Sequence, residues 1–409
     1  MSEGLSIWLG GLDVALVTQN RGRLRLSYTQ AAQDRYALGT PLLSLSLPLT
    51  PEHHSHGVVK AFLDGLLPEG EPRRAIAEGL NVKASDTYAL TEALGRDCAG
   101  ALVILPVGEA LPTQSTTRSA VALSQLDLEE LVANLRSAPL GVSENVRLSL
   151  AGVQDKLTLT RLGDGSWALP DAVTPSTHIL KPEIAAYPNT VENEAYCMRV
   201  AKHLGLGVAN VETIVVNNRT LIVVERFDRV VDPNGTVKRV HQEDICQALA
   251  IPPDKKYQEL GGPSLRKVAQ ILDAAGTEAL DALLRAVTIN VLIGNGDAHG
   301  KNFSLMHERP GEIRLAPLYD LVSTYVYGEK RLAMYIDNVE RLEGVTADRI
   351  LNEAVRWGVS RQRGRNIVEE LLENTPAAAA AAAEETPGVP ERLPLLVAAQ
   401  LAKLGSTLP

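Results

Sequence analysis

Residues 5–50 set apolar and polar positions in short alternating runs, the period-two pattern of strands with one buried face. The runs are Leu5 to Leu16, Leu24 to Tyr28, and Leu42-Leu43-Ser44-Leu45-Ser46-Leu47-Pro48-Leu49. Over 58–81 the spacing changes to three and four, with Val59, Phe62, Leu63, Leu66 and Leu67 on one stripe, which predicts a helix. Pro68-Glu69-Gly70 interrupts it. A further helix is expected over 126–136, with Asp127 near its start and Ser137-Ala138-Pro139 past its end.

From 146 to 230 the strand pattern returns. Leu157 to Leu162 and Trp167 to Leu169 flank Gly163-Asp164-Gly165, a hairpin signal. An amphipathic helix follows over 191–204, then Val211 to Val216 is expected to pair with Thr220 to Glu225. Beyond 241 helices dominate, broken by one hairpin at 303–319. Ala377 to Ala383 form a strong helix former with a structural role, and 386–394 reads as a connector. The expected fold is α+β and two-lobed, with a β-rich N-terminal lobe and a mostly α-helical C-terminal lobe. Its units are 1–140, a β-rich module plus helices; 141–230, a β-rich part; and 231–409, a helical lobe.

Composition narrows the class of function. With 409 residues, two or three packed subdomains are expected. No apolar run approaches the roughly 20 residues that cross a bilayer, so no membrane partner is expected. The first residues lack the basic start of a secretory signal. Cys98, Cys197 and Cys246 are too few and too scattered for a disulfide framework or a zinc site, and they suit a reducing cytoplasm. A net charge of −9 argues against a protein that grips DNA through phosphates alone.

The sharpest chemistry lies in Asn290-Val291-Leu292-Ile293-Gly294-Asn295-Gly296-Asp297-Ala298-His299-Gly300-Lys301-Asn302-Phe303-Ser304. Asp297 and Asn302 have the D-x-x-x-x-N spacing of a kinase catalytic loop, where the Asp takes the proton of the acceptor hydroxyl and the Asn holds a metal. By itself that spacing is common. The hairpin, with strands Phe303 to Met306 and Ile313 to Leu318, brings Tyr319-Asp320 back beside Asn302. It thereby adds the second carboxylate-type ligand that Mg²⁺-assisted phosphoryl transfer needs, and such hard oxygen donors favour Mg²⁺ over zinc. A Walker A reading of Gly294 to Asn302 fails, because five residues separate Gly294 from Gly300 and Asn302 replaces the Ser/Thr. The run His53-His54-Ser55-His56 is a poor metal site, since adjacent histidines in a polar loop rarely converge.

Upstream, Thr177-His178-Ile179-Leu180-Lys181-Pro182 puts a lysine in a short strand, as for a phosphate-neutralising lysine, with Glu192 and Glu194 both open as its partner. Ser149 to Lys156 lies between β-like runs and could cradle phosphates. Glu225-Arg226-Phe227-Asp228 closes a strand before a polar loop, as a hinge between lobes would.

These ordered motifs resemble the HipA family of kinases, from bacterial toxin–antitoxin systems, over about residues 5–360. The likeness includes Phe62-Leu63-Asp64-Gly65-Leu66-Leu67-Pro68-Glu69-Gly70, Gly95-Arg96-Asp97-Cys98-Ala99-Gly100-Ala101, Leu150 to Lys156, Glu192-Asn193-Glu194, Glu225 to Arg229, Gln242 to Ala248, Asp297 to Ser304 and Leu318-Tyr319-Asp320. It implies a two-lobed, protein-kinase-like fold in which 141–230 binds the nucleotide and 231–409 carries the catalytic loop and metal site, and a serine/threonine kinase using ATP and Mg²⁺, with Asp297 as catalytic base and Asn302 and Asp320 as metal ligands. ATP contacts are implied for Ala151, Gly152, Val153, Gln154, Asp155, Lys156, Lys181, Glu225, Arg226, Phe227, His299, Gly300, Lys301, Asn302, Tyr319 and Asp320. Ser149 matches a serine that family members autophosphorylate. The implied partners are a HipB-like helix-turn-helix antitoxin, operator DNA only through that antitoxin, and an aminoacyl-tRNA synthetase substrate, glutamyl first. The same residues would serve a kinase of small molecules or lipids, because phosphate chemistry does not choose the acceptor. A non-catalytic co-repressor is the other alternative, and the intact Lys181, Asp297, Asn302 and Asp320 speak against it.

Overall fold

The computed structural model describes residues 4–111, 121–135, 154–171, 173–309 and 311–409. An N-terminal antiparallel sheet comprises β1 (Leu5–Leu9), β2 (Leu12–Asn20), β3 (Arg23–Tyr28) and β4 (Leu102–Pro106), in the order β3-β2-β1-β4. Gly10 and Gly11, at φ +57° and +83°, form the tight turn between β1 and β2, a conformation open to glycine at little cost. The helices His56–Leu66 and Gly70–Gly79 divide at Pro68-Glu69, as expected. Phe62, Leu63 and Leu66 of the first join Leu5, Ile7, Val14 and Val17 in a core of this module.

The second sheet is antiparallel and five-stranded: β5 (Leu157–Arg161), β6 (Trp167–Ala168), β7 (His178–Pro182), β8 (Val211–Val216) and β9 (Arg219–Glu225), in the order β6-β5-β7-β9-β8. Alternation along β9 gives it two apolar faces. Leu221 and Val223 pack with Leu128 and Val132 of the helix Gln125–Asn134, whose start is closed by a capping box between Ser124 and Asp127. Ile222 and Val224 belong to the large core that the helix Thr190–His203 shares with the C-terminal helices. That helix therefore ties the sheet to the helical lobe.

The helical lobe surrounds Thr277–Leu292, most of whose residues are buried, with Leu265–Asp273, Ala347–Val355, Arg361–Glu384 and Arg392–Ser406 around it. The alanine run lies in Arg361–Glu384 and buries Ala378 and Ala382, the structural role expected for it. The chain is α+β and two-lobed, as its pattern predicts.

Two expectations need correction. Beyond 228 the chain carries more strand than one hairpin: β10 (Arg229–Val231) pairs with β11 (Val237–Arg239), and β12 (His241–Asp244) adds to the hairpin β13 (Ser304–Arg309) and β14 (Glu312–Leu315). A separate ribbon joins β15 (Arg331–Ile336) to β16 (Val339–Arg341). These strands are short, and β11 reads Val-Lys-Arg, too polar to announce itself. In the other direction, 42–49 is not a strand. Its serines serve a distant partner instead: Ser44 Oγ and the Leu45 N–H (2.9 Å) donate to Glu243, and Ser46 Oγ donates to the Gln247 carbonyl at 2.7 Å. Tertiary hydrogen bonds here override the local alternation.

A buried charge cluster welds the N-terminal module to the rest. Asp97 accepts from Ser176 N–H (3.1 Å) and from Arg229 Nη2 (3.0 Å), while Arg226 and Arg229 both donate to the Cys98 carbonyl, at 3.0 and 2.9 Å. In return the Gly100 N–H donates to Asp228 at 2.7 Å. Gly100 sits at φ +76°, and a Cβ there would stand 2.8 Å from the Gln242 backbone, so only glycine lets the two segments meet. Burial would push the Asp97 carboxyl up, but Arg229, Arg226 and Arg239 outweigh it and hold the group below the usual range. Removing one member strands the others without solvent. Asp97→Ala is therefore expected to destabilise the protein by about 3–5 kcal/mol, read as a lowered urea midpoint; a midpoint equal to wild type would show that the cluster is not the weld.

Candidate active site

The helix Thr277–Leu292 ends in a loop whose polar residues build its shape. Asn290 Nδ2 donates to the Ala286 carbonyl, Asn295 Nδ2 donates to Asn290 Oδ1 at 2.7 Å, and Asn295 Oδ1 accepts the Asp297 N–H at 3.0 Å. Gly296 is held from the far side, its N–H donating to Thr324 Oγ1 (2.8 Å) and its carbonyl accepting from the Ala333 N–H (2.7 Å). A Cβ on Gly296 would lie 2.4 Å from the Arg331 carbonyl, so β15 can press against the loop only there. The backbone of Asp297 is thus fixed before any ligand arrives. Its side chain is half-buried, and burial lifts the carboxyl to about 6; the nearby Tyr257 and Lys256 oppose the rise, and Asp320 adds to it.

Lys181 on β7 is the second centre. Its ammonium donates to Glu194 at 2.8 Å and to Asp320 at 2.9 Å. Glu194 is 3% exposed, whereas Glu192 lies a half-turn away and is less buried, so the choice left open by sequence falls on Glu194. Burial opposes the lysine charge, but the two carboxylates more than offset it and keep the ammonium protonated. Asp320, at φ +57°, adopts a left-handed conformation uncommon outside glycine, of the kind that clusters at functional sites. Burial raises its carboxyl, and Lys181 with Lys156 pulls it down to about 2, so it is ionised at any physiological pH. Its second oxygen accepts from Asn302 Nδ2 at 3.2 Å. The hairpin accomplishes what its spacing predicts: it returns Asp320 to Asn302 across 18 residues.

The remaining expected residues divide. Gln154 donates to the Pro182 carbonyl at 3.1 Å, beside Lys181, and Asp155 and Lys156 follow it half-buried. Burial and the nearby Lys181 charge lower the Lys156 ammonium to about 8. Phe227 and Tyr319 lie ring against ring, centroids 5.5 Å apart, and the Tyr319 hydroxyl donates to the Lys301 carbonyl. Glu225 is exposed; its N–H and that of Arg226 donate to the Asn210 and Thr177 carbonyls, both at 2.9 Å. Ala151, Gly152, Val153 and Ser149 lie outside the described residues.

Three residues expected at the nucleotide have their polar groups committed elsewhere. The Arg226 guanidinium belongs to the weld with Asp228 and Cys98. Lys301 Nζ turns to Asp244 (2.7 Å) and the Gly65 carbonyl (3.1 Å), binding the catalytic loop to the N-terminal module. The Gly300 N–H donates to the Lys256 carbonyl, and a Cβ there would meet Pro263 at 2.3 Å. His299 shapes the loop: its Nδ1 accepts the Lys301 N–H at 3.3 Å, and burial lowers its pKa to about 3, keeping the ring neutral.

Sequence reasoning missed Tyr257, Lys256, Asn290 and Asn295 as parts of this site. The two asparagines carried a readable signal, polar groups at the buried end of an apolar helix. Tyr257 carried none, because its loop lies 40 residues before Asp297. Among the described residues no group of three or more His, Cys, Asp or Glu side chains is placed to hold a metal. Asn302 and Asp320 nevertheless offer amide and carboxylate oxygens, and such a short, hard donor set fits a cation that keeps most of its ligands as water and phosphate, as Mg²⁺ does.

Comparison with known proteins agrees with this architecture. The HipA N-terminal domain matches residues 5–105, and the HipA-like C-terminal domain matches 148–379. Y4mE of Sinorhizobium fredii is 40% identical over 395 residues, 93% of this chain and 92% of that protein. The serine/threonine-protein kinase toxin HipA of Shewanella oneidensis is 36% identical over 327 residues, 75% of this chain and 72% of that one. A chain in the solved complex of Shewanella oneidensis MR-1 HipA, HipB and operator DNA aligns with a TM-score of 0.82 at 30% identity, covering 99% of this chain and 96% of that chain. Matches that run from the first strand into the last helices, at this level of identity, lead to one conclusion: the chain belongs to the HipA family.

Proposed function

We propose that this chain is a serine/threonine protein kinase toxin, transferring the γ-phosphoryl group of ATP to a protein hydroxyl. The observation that carries the reading is a convergence: Lys181, Glu194, Asn302 and Asp320, from four separate elements, meet in one hydrogen-bonded chain. Asp297, five residues before Asn302, has a carboxyl near 6, raised by burial and then by the Asp320 charge. Lys181 supplies fixed positive charge for phosphate oxygens, and Glu194 keeps it aimed when Asp320 turns to other partners. Asp297 accepts the proton of the acceptor hydroxyl as that oxygen bonds to phosphorus and ADP leaves; a base near 6 is ionised at neutral pH yet still basic enough to help. Mg²⁺, held by Asn302 and Asp320, would neutralise charge on the phosphates.

Autophosphorylation at Ser149 is part of the proposal. A phosphate adds about −1.5 to −2 charge next to a loop suited to ATP phosphates, and it would compete with them. The proposed protein substrate is an aminoacyl-tRNA synthetase, glutamyl first and tryptophanyl second, modified on a serine of a flexible ATP-binding loop able to reach Asp297. The proposed partner is a HipB-like antitoxin. A net charge of −9 repels DNA phosphates, so operator contact would come chiefly through a basic antitoxin. Three buried, free cysteines suit the cytoplasm.

Asp297→Asn is expected to bind ATP and to transfer phosphate at least ~100-fold more slowly; radiolabel transfer at the wild-type rate would remove Asp297 from its role. In the wild type, transfer should fall about tenfold per pH unit below about 6, where the base is protonated, and level off above it. A flat profile between pH 5 and 7 would contradict a base of this kind. Asp320→Ala should lose Mg²⁺-dependent nucleotide binding, measured by calorimetry with and without the ion. For the target, phosphoproteomes of cells expressing wild-type and Asp297→Asn protein are compared. If no synthetase peptide differs between them, the toxin substrate assignment fails while the kinase reading stands.

A further inference from the structure

Between Asp320 and the short turn Tyr325–Tyr327 the chain runs through Leu321, Val322, Ser323 and Thr324 without helix or strand. It is nevertheless held at both ends. The Asp320 carboxylate accepts from Lys181 and Asn302. At the other end Thr324 Oγ1 accepts the Gly296 N–H at 2.8 Å, and the Tyr325 N–H donates to the Gly294 carbonyl at 3.0 Å. Between these points one side chain grips the backbone. Asn193, fully buried on the helix Thr190–His203, accepts the Ser323 N–H on Oδ1 at 2.9 Å and donates from Nδ2 to the Ser323 carbonyl at 3.0 Å. An amide offers a donor and an acceptor side by side, as a peptide group does, so it pairs with Ser323 as a neighbouring strand would. The rest of its capacity is also used inside the protein: Nδ2 reaches the Tyr327 hydroxyl at 3.3 Å, and Oδ1 receives the Cys197 thiol at 3.4 Å. Asn193 therefore has no group left over for a nucleotide; what it holds is the segment behind Asp320.

Asp320 needs such support. Its left-handed backbone, at φ +57°, is a conformation that persists only where its surroundings over-determine it. The Lys181 ammonium pulls the carboxylate into place, but a cation on the same carboxylate competes with that pull, and the backbone must then keep the position. The helix is suited to the task. Asn193 and Glu194 are neighbours on it, with side chains about 100° apart around its axis. Glu194 fixes Lys181 at 2.8 Å, while Asn193 fixes the segment that carries Asp320, so one rigid element sets both partners of the ion pair. Resting on the kinase reading above, we propose that Asn193 is a positioning residue of the metal centre, holding Ser323 so that the Asp320 carboxylate stays presented to Mg²⁺ beside Asn302 when its bond to Lys181 gives way. An amide with only a structural role would stabilise the fold and leave the cation affinity of the folded protein alone. One that orients a ligand sets that affinity directly.

The test uses the full-length protein with ATP and Mg²⁺ as probes, and reads binding by calorimetry rather than turnover. Asn193→Ala removes both bonds to Ser323. It is expected to need about 10–100-fold more Mg²⁺ for half-maximal ATP binding, while ATP binding without the ion, which rests on Lys181, stays near the wild-type value. Val200→Ala truncates a buried core residue of the same helix and controls for stability. It should lower the urea midpoint and leave the Mg²⁺ requirement where it was. Hydrogen exchange gives a readout that needs no variant: in ligand-free wild type the Ser323 amide is expected to be protected already, and ATP with Mg²⁺ should add little. An unmoved Mg²⁺ requirement in folded Asn193→Ala overturns the proposal, and so does an equal shift in Val200→Ala. A Ser323 amide that exchanges freely until ATP and Mg²⁺ are added overturns it as well, which decides the matter if Asn193→Ala does not fold. Wild-type protein that binds no ATP at all would instead overturn the kinase reading, and the proposal with it.

Discussion

One buried ammonium holds the site in place. Lys181 on the five-stranded sheet donates at once to Glu194 on the helix behind it and to Asp320 beyond the hairpin. A charge this enclosed is tolerable only with partners on it, and the carboxylates are equally dependent on the lysine. The sheet, the helix Thr190–His203 and the segment after β14 therefore share a single electrostatic solution. Their relative positions cannot drift far without leaving a bare charge in a site with little water. Asp320 belongs to two arrangements, answering Lys181 with one oxygen and Asn302 with the other. It is the joint through which the sheet communicates with the catalytic loop.

The N-terminal module enters the same construction from outside. It meets the rest at the arginine cluster on Asp97, at the serine-bearing stretch on Glu243 and Gln247, and at the end of the helix His56–Leu66, where the Gly65 carbonyl and Glu69 receive Lys301 and Lys256. The last contact matters most for chemistry, because Lys301 lies in the catalytic loop itself. The loop that carries Asp297 is thus supported partly by a module whose described residues make no hydrogen bond to Lys181, Asn302 or Asp320.

What could be read from the chain follows the range of the interactions. Asp297, Asn302 and Asp320 were legible because a short loop and one hairpin bring them together, and local spacing encodes both. Lys181 was legible as a strand lysine, but its partner was not: Glu192 and Glu194 differ only in which way the helix turns them, and the core against that helix decides it. The Leu-Ser alternation at 42–49 misleads because Ser44 answers Glu243, 199 residues away. Arg226 and Lys301 sit inside recognisable motifs, yet their side chains serve the junction between modules, a function no nearby residue hints at. Tyr257 was invisible for the same reason.

The weld at Asp97 also sets an order of events during synthesis. Asp97 and Arg229 are separated by 132 residues, and ribosomes add roughly 5–20 residues per second. For roughly 7–26 s at that rate the module emerges with an acid that lacks Arg229, and Glu69 waits longer still for Lys256 and Lys301. The finished catalytic loop depends on that earlier module, and its own residues are translated after more than two thirds of the chain. A nascent chain therefore cannot seat the loop around Asp297 on its support until well after the module that supports it has left the ribosome.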